Sequence, residues 1–346
     1  MSASAAERRE LRELERTQHW FIPERKRSSL YEDVTIDVQP SVHRHTRFGY
    51  PIAFPNGRQS FWDDSTAIRS SDWYAFRDPA GLWERTFFQT GSTHEREIEN
   101  DLQVARDNNL FVAASKEWVD FLSAQLLPIS LTEYGLVAPQ SAALRPALGD
   151  AIANCLGYSA GYKLRQAQAL VLYGGELERE IPGFSTADGK RRFLEDPEWQ
   201  PTRRYLERLG SITDWAETVV AANICFEPLI GNLLRRDVLI RLAGSYGDAT
   251  TPTLGQVAQA EWGWVRDWSV ALVRFILNDA THSEANTQKV QEWLEDWGTM
   301  AREAIDALEP VFSSIDPAYS ETRQRLNQDH ADLLQECGLK SSEVTV

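Results

Sequence analysis

From about residue 80 to residue 312, apolar positions recur every three or four residues, the pattern of helices that bury one face. Residues 82–109 read as a charged helix. Residues 115–127 place Trp118, Phe121, Leu122 and Leu126 at helical spacing ahead of Pro128. The next helix is expected to start near Pro139, run to about Tyr173 and stop at Gly174-Gly175. Ala153, Gly157 and Gly161 stand on it at four-residue steps and allow close backbone approach, so it should lie centrally. The loop IPGFSTADGK separates two halves. A helix resumes over 201–243 with Trp215, Val219, Ala222, Phe226, Leu229 and Leu233 on one stripe, and Pro228 inside it should kink or break it. Thr251-Pro252-Thr253 opens another, with the stripe Val257, Glu261, Trp264, Trp268, Leu272 and Phe275. A last amphipathic helix covers 283–309 with Trp293 and Trp297 four apart, and the tail frays after about 335. No strand alternation, internal repeat, low-complexity tract or phosphate loop interrupts this pattern. The expected fold is all-α, built from long helices.

The N-terminal part differs. Residues 1–20 suit a short charged helix. Residues 21–80 gather prolines and aromatic rings without helical periodicity, too apolar for a free linker. They read as an extended arm that lays its rings, among them Tyr31, Phe48, Tyr50, Phe54, Trp62, Trp73 and Tyr74, on the chain's own helices or on a partner chain. The expected organisation is an arm over 1–80, a helical domain over 81–312, and a C-terminal helix and tail over 313–346.

Composition narrows the function. A formal net charge of −15 argues against nucleic acid, whose binding needs Lys and Arg to replace phosphate counterions. No apolar segment near the N-terminus suggests a signal peptide, and no run of about 18 uncharged apolar residues suggests a membrane span. The cytoplasm is the expected location. Cys155, Cys225 and Cys337 are far apart, and two of them lie in apolar helical stretches, which points to buried thiols rather than zinc or redox chemistry.

Long helices of this kind could hold a pair of irons, for which a four-helix bundle needs a Glu-x-x-His step on each of two helices. The six histidines, His19, His43, His45, His94, His282 and His330, are preceded three residues earlier by Arg16, Pro40, Val42, Gly91, Asp279 and Asn327. None is Glu. The scaffold is present and its ligands are not.

Seven segments carry a resemblance. They are YEDVTIDVQPSVHRH at 31–45, SDWYAFRDPAGLW at 71–83, YKLRQAQAL at 162–170, DWAETVVAANICFEPLIG at 214–231, TPTL at 251–254, WSVALVRF at 268–275 and NDATHSEAN at 278–286. In order and spacing they resemble the small (β) subunit of the hydroxylase of soluble di-iron monooxygenases, the group that oxidises methane, phenol, toluene, alkenes and propane. The resemblance spans roughly residues 25–310. The YEDVT arm and the NDxxHxEAN helix start look most like the alkene and propane branch. It implies a ferritin-like helical bundle whose metal ligands are lost. It places a di-iron centre on a larger α subunit, and NADH, FAD and a 2Fe-2S cluster on a reductase. It implies an α2β2 assembly with or without a third small subunit, and a coupling protein. No catalytic, metal or cofactor residue is expected on this chain, and no nucleic-acid or membrane partner.

On that alignment an α subunit's central Glu-x-x-His falls on Lys163-Leu164-Arg165-Gln166, where an ammonium repels a cation and an amide replaces imidazole. In the later helix Glu261 is kept, but Trp264 stands three residues on, and an indole N–H only donates. Lys163, Gln166, Glu227, Glu261 and Trp264 are therefore the vestigial metal-site positions. Glu227 in ICFEPLI reads as a ligand remnant, or as a group that hydrogen-bonds near Pro228 or pairs with an Arg. Glu261 reads as a ligand remnant or a buried salt bridge, with Lys163 a candidate partner for either. His43-x-His45 on the arm has the form of a weak surface chelate. Asp279-x-x-His282 has ligand spacing, but a helix start favours Asp as a cap. Glu133 and Tyr134 show no partner motif. An alternative reading is a freestanding ferritin-like metal protein with ligands from Glu117, Glu133, Glu227, Glu261 and Asp residues, without a His at the right step. A third is a helical interaction scaffold unrelated to oxygenases.

Overall fold

The longest helix, Asp150–Glu180, passes straight through Gly174-Gly175 instead of stopping there. A Cβ on Gly174 would stand 3.2 Å from Thr186 Cγ2 and 3.4 Å from Leu126 Cδ2, so that glycine serves close packing within the helix. The stop comes at Ile181, whose backbone is extended. Pro182 follows, and a proline disfavours helical geometry in the residue before it. In this computed structural model the described residues are Phe21, 23–38 and 63–339.

The main helices in chain order are α1 (Glu84–Asn108), α2 (Lys116–Gly135), α3 (Val137–Leu144), α4 (Asp150–Glu180), α5 (Gly189–Glu195) and α6 (Gln200–Leu209). Then α7 starts at Trp215–Val219 and continues in π register over Val220–Gly231 and Leu233–Leu242. Last come α8 (Thr251–Leu277), α9 (Ser283–Ala307) and α10 (Tyr319–Glu336). Among the described residues every regular element is helical. The central α4 packs on α2, α3 and α8, while α7 packs on α8, α9 and α10. One continuous apolar core runs from Ile68 to Leu339, so the C-terminal helix shares it.

Two more prolines act differently from expectation. Pro128 lies inside α2. A proline costs a helix interior about 3 kcal/mol. Burial of Phe121, Leu122, Leu126 and Ile129 around it, at about 1.5–3 kcal/mol each, outweighs that cost. The run expected from Pro139 is divided at Pro146, and Gly149 supplies the φ of +105° from which α4 departs.

Pro228 neither ends nor breaks α7. In an α-helix its ring would press on the carbonyl of Ile224 and leave that oxygen without a donor. The i→i−5 register widens the turn here. Asn232 Nδ2 donates to the Pro228 carbonyl at 3.3 Å, and the buried His330 of α10 faces the Ile224 backbone. Burial, then the charge of Arg302, pushes His330 down to about 4. A histidine depressed below its usual value near 6.5 stabilises the fold at neutral pH and loses that contribution as pH falls towards 4. Stability should therefore decline across pH 6.5 to 4, and His330→Leu should flatten part of that slope in denaturant titrations at stepped pH.

The described part of the arm lies on the chain's own helices. Trp73 meets Trp215 edge-on at 5.2 Å and Phe275 at 6.2 Å, and Phe76 meets Phe275 at 5.8 Å. Tyr31 covers Gly81, and its hydroxyl accepts from Asp78 N at 3.1 Å. Tyr74 is half-buried. Backbone N–H groups of the arm bond to distant side chains: Ala67 to Asp214 at 2.6 Å, Arg69 to Asn286 at 3.0 Å, and Ser71 to Asp279 at 2.6 Å. Asp279 also accepts from the N–H groups of Thr281 and His282. Its partial burial alone would raise its pKa, but these donors outweigh it and hold the group at about 2. Asp279-x-x-His282 thus closes the turn ahead of α9 and ties down the arm; it does not cap the helix, which begins at Ser283 without a side-chain cap bond. Phe48, Tyr50, Phe54 and Trp62, and His43 with His45, lie outside the described residues.

Candidate functional site

Five of the helices each send polar side chains to one buried place. From α2 comes Glu133, from α4 Lys163, Arg165 and Gln166, from α7 Glu227 and Arg235, from α8 Glu261, and from α1 His94. Lys163 and Gln166 share a face because they stand three apart. The Lys163 ammonium lies 2.7 Å from Glu133 Oε2, 2.5 Å from Glu227 Oε1 and 3.0 Å from Gln166 Oε1. Gln166 Nε2 donates to Glu261 Oε2 at 2.7 Å. The other Glu261 oxygen meets the guanidinium of Arg165 and, at 3.1 Å, His94 Nδ1. Arg235 pairs with Glu227 and stands 3.7 Å from Glu133 Oε1. Its guanidinium also sits 5.4 Å over the Trp262 ring.

Three carboxylates thus face three cations, nearly all of them removed from water. Buried charges are tolerated only when paired in this way. Burial would raise Glu227, but Arg235 and then Lys163 more than offset it and hold the carboxyl below its ordinary range. Burial lowers Arg165, and burial with the nearby Arg165 charge lowers His94. The pairing of Glu227 with Arg235 depends on Gly231 between them. A Cβ there would lie 2.6 Å from an Arg235 nitrogen and closer still to Glu227 Oε2.

The structure brings Lys163, Gln166, Glu227 and Glu261 together. Trp264 does not join them: its indole N–H donates to Asp78 Oδ2 at 3.1 Å, towards the arm. Lys163 reaches Glu227 but not Glu261, which Gln166 and Arg165 hold instead. Glu117 is exposed in the first turn of α2 and stands apart from the cluster. Sequence reasoning found no partner for Glu133 and missed Arg235, His94 and the role of Arg165. Arg235 left one usable signal, an arginine in an apolar stretch eight residues after Glu227, about two turns on. His94 left none, because α1 is polar on most sides.

This donor set does not fit a pair of metal ions. Each carboxylate already holds a cation of the chain, and the one imidazole bonds a carboxylate that Arg165 also occupies. Among the described residues no group of three His, Cys, Asp or Glu side chains is arranged to hold a metal. No helix among them is long and apolar enough to cross a membrane. A second feature lies outside the cluster. A groove of about 690 Å³ runs between α1 and α4, its wall mixing Ile98, Ala169, Val171 and Leu172 with the charged Glu99, Arg106, Glu176 and Arg179. Val171 and Leu172 are 53% and 73% exposed.

Fold and cluster together define a class: an all-helical bundle of the kind that houses carboxylate metal centres, with lysine and arginine filling the interior. Residues 51–280 match the Methane/Phenol/Alkene Hydroxylase family, and the chain belongs to that family. It is 33% identical over 301 residues to the propane 2-monooxygenase hydroxylase small subunit of Rhodococcus jostii (strain RHA1), covering 86% of this chain and 81% of the relative. It is 32% identical over 296 residues to the protein of the same name from Mycolicibacterium goodii, covering 85% and 80%. The xenon-pressurised phenol hydroxylase structure from Pseudomonas sp. OX1 shares the fold, with a TM-score of 0.77 at 21% identity over 92% of this chain and 93% of that one.

Proposed function

We propose that this chain is the small, structural subunit of the hydroxylase component in a multicomponent monooxygenase that oxidises a small hydrocarbon. The observation that carries this reading is the cation-filled cluster, set beside the likeness to hydroxylase small subunits along most of the chain. A helix bundle whose carboxylates are neutralised by its own lysine and arginines has no vacancy for the iron pair that the chemistry needs. The irons then belong to a larger α subunit, and this subunit contributes rigid helices that brace it. Ligands held on rigid helices keep their geometry only when a further layer fixes those helices. The exposed apolar residues along the α1–α4 groove suit burial by that partner. Electrons from NADH would arrive through a separate FAD and iron–sulfur reductase, with a coupling protein taking part.

Iron analysis tests this reading. The chain is co-expressed with its larger partner, the two are separated, and each is assayed. Iron is expected with the partner only. Retention of about two irons by this chain alone would show that the cluster rearranges into a ligand set, and the structural reading would fail.

A further inference from the structure

Lys163 sits at the focus of three helices with its side chain 2% exposed. Its ammonium donates to Glu133 Oε2 from α2 and to Gln166 Oε1 from α4, and pairs with Glu227 Oε1 from α7. A shell of two carboxylate oxygens and one amide oxygen, with no nitrogen or sulfur, is what a hard cation seeks. Among the described residues Glu227 Oε1 meets no donor other than this ammonium, at 2.5 Å. A cavity of about 20 Å³ adjoins the cluster, lined by Glu133, Arg165, Gln166 and Arg235 and by apolar side chains of α1, α4, α7 and α8, room for one water-sized guest.

We propose that these three oxygens form a cation-binding site whose resident is the tethered ammonium of Lys163, and that the site takes a free monovalent alkylammonium once the tether is cut. Charge decides the valence. Without Lys163, the carboxylates of Glu133, Glu227 and Glu261 face the guanidiniums of Arg165 and Arg235, and one negative charge is left over. A single monovalent cation restores neutrality. A divalent ion leaves an excess positive charge, and two divalent ions leave a large one, in a space where unpaired charge is not tolerated. Shape agrees, because ethylammonium reproduces the end of the lysine side chain and tetramethylammonium has no N–H to donate.

The test is thermal unfolding of the full chain carrying Lys163→Ala, in ethylammonium or tetramethylammonium chloride at equal ionic strength. The substitution should lower Tm by about 4–7 °C. Ethylammonium should recover about half of that loss by binding the folded state, and tetramethylammonium none. Lys163→Met, which refills the space with an apolar chain, should respond to neither salt. Equal recovery by both salts, or equal recovery of the Ala and Met variants, would overturn the proposal. So would a Lys163→Ala chain that takes up Mn2+ in preference to ethylammonium. If Lys163→Ala does not fold, Lys163→Met is compared with Lys163→Met/Glu133→Gln, because Glu227 keeps Arg235 while Glu133 loses its one close cation. The double variant removes the stranded carboxylate charge and should be the more stable. A double variant no more stable than the single one refutes the site.

Discussion

Arg235→Met is expected to destabilise the chain by about 3–5 kcal/mol, read as a lower denaturant midpoint. The guanidinium lies deep in the bundle on Glu227, near Glu133 and over Trp262, and methionine keeps much of its volume without its charge. Glu227 is then left to share Lys163 with Glu133. The pH dependence separates charge from packing. In the native chain burial favours the protonated acid, but Arg235 and Lys163 hold Glu227 below its ordinary range. A carboxyl lowered in this way stabilises the fold above its unfolded pKa, about 4.3, and loses that contribution as pH falls through its folded value. Without Arg235, burial prevails and the folded pKa moves above the unfolded one. The variant then gains stability relative to the native chain as pH falls towards 4. The gap between the two should narrow in mild acid, whereas a gap constant with pH would mark a packing defect.

Trp118→Ala should cost a similar amount, about 3–5 kcal/mol. The indole is fully buried, stacked on Phe121 at 5.2 Å and on Tyr246 at 5.8 Å. Its N–H donates to Asp248 Oδ2 at 2.6 Å. Asp248 in turn accepts from the backbone N–H groups of Thr250 and Thr251, which open α8. The tryptophan of α2 thereby positions the carboxylate that fixes the start of the helix carrying Glu261. Trp118→Phe keeps most of the ring and loses only the hydrogen bond, so about 1–2 kcal/mol is expected. Equal losses for the Ala and Phe variants in the same titration would show that the N–H, not the buried area, dominates.

The helices themselves were legible because burial leaves a periodic trace. The stripe from Val257 to Phe275 marks α8, and the small-residue steps mark the central α4. Their ends were less legible where a glycine or proline acts through packing rather than as punctuation. Gly174 reads as a stop, yet it makes room for Thr186. Pro228 reads as a break, yet π register accommodates it, with His330, about a hundred residues away in sequence, packed beside the widened turn. Neither neighbour is visible in the local sequence. At the cluster the same limit applies to charge. Lys163, Glu227 and Glu261 stand out because each is charged within an apolar run. Glu133 gives no hint of its partners, which lie 30 residues away at Lys163 and at Arg235 on α7. Trp264 was placed by counting three residues on from Glu261. That count fixes its helix face but not its hydrogen-bond acceptor, which lies on the arm.

The ties between the arm and the body have a consequence for synthesis of the chain. Ser71 is 208 residues ahead of Asp279, and Arg69 is 217 ahead of Asn286. At about 5–20 residues per second the ribosome needs roughly 10–40 s to cover that interval. The segment made first is therefore among the last to dock, and contacts of such long range close slowly. Throughout that interval Trp73 and Phe76 have no Phe275 to meet. A nascent chain halted before Asp214 carries an aromatic segment with neither Trp215 nor Phe275 to settle on, which marks it for chaperones and proteases ahead of any assembled subunit.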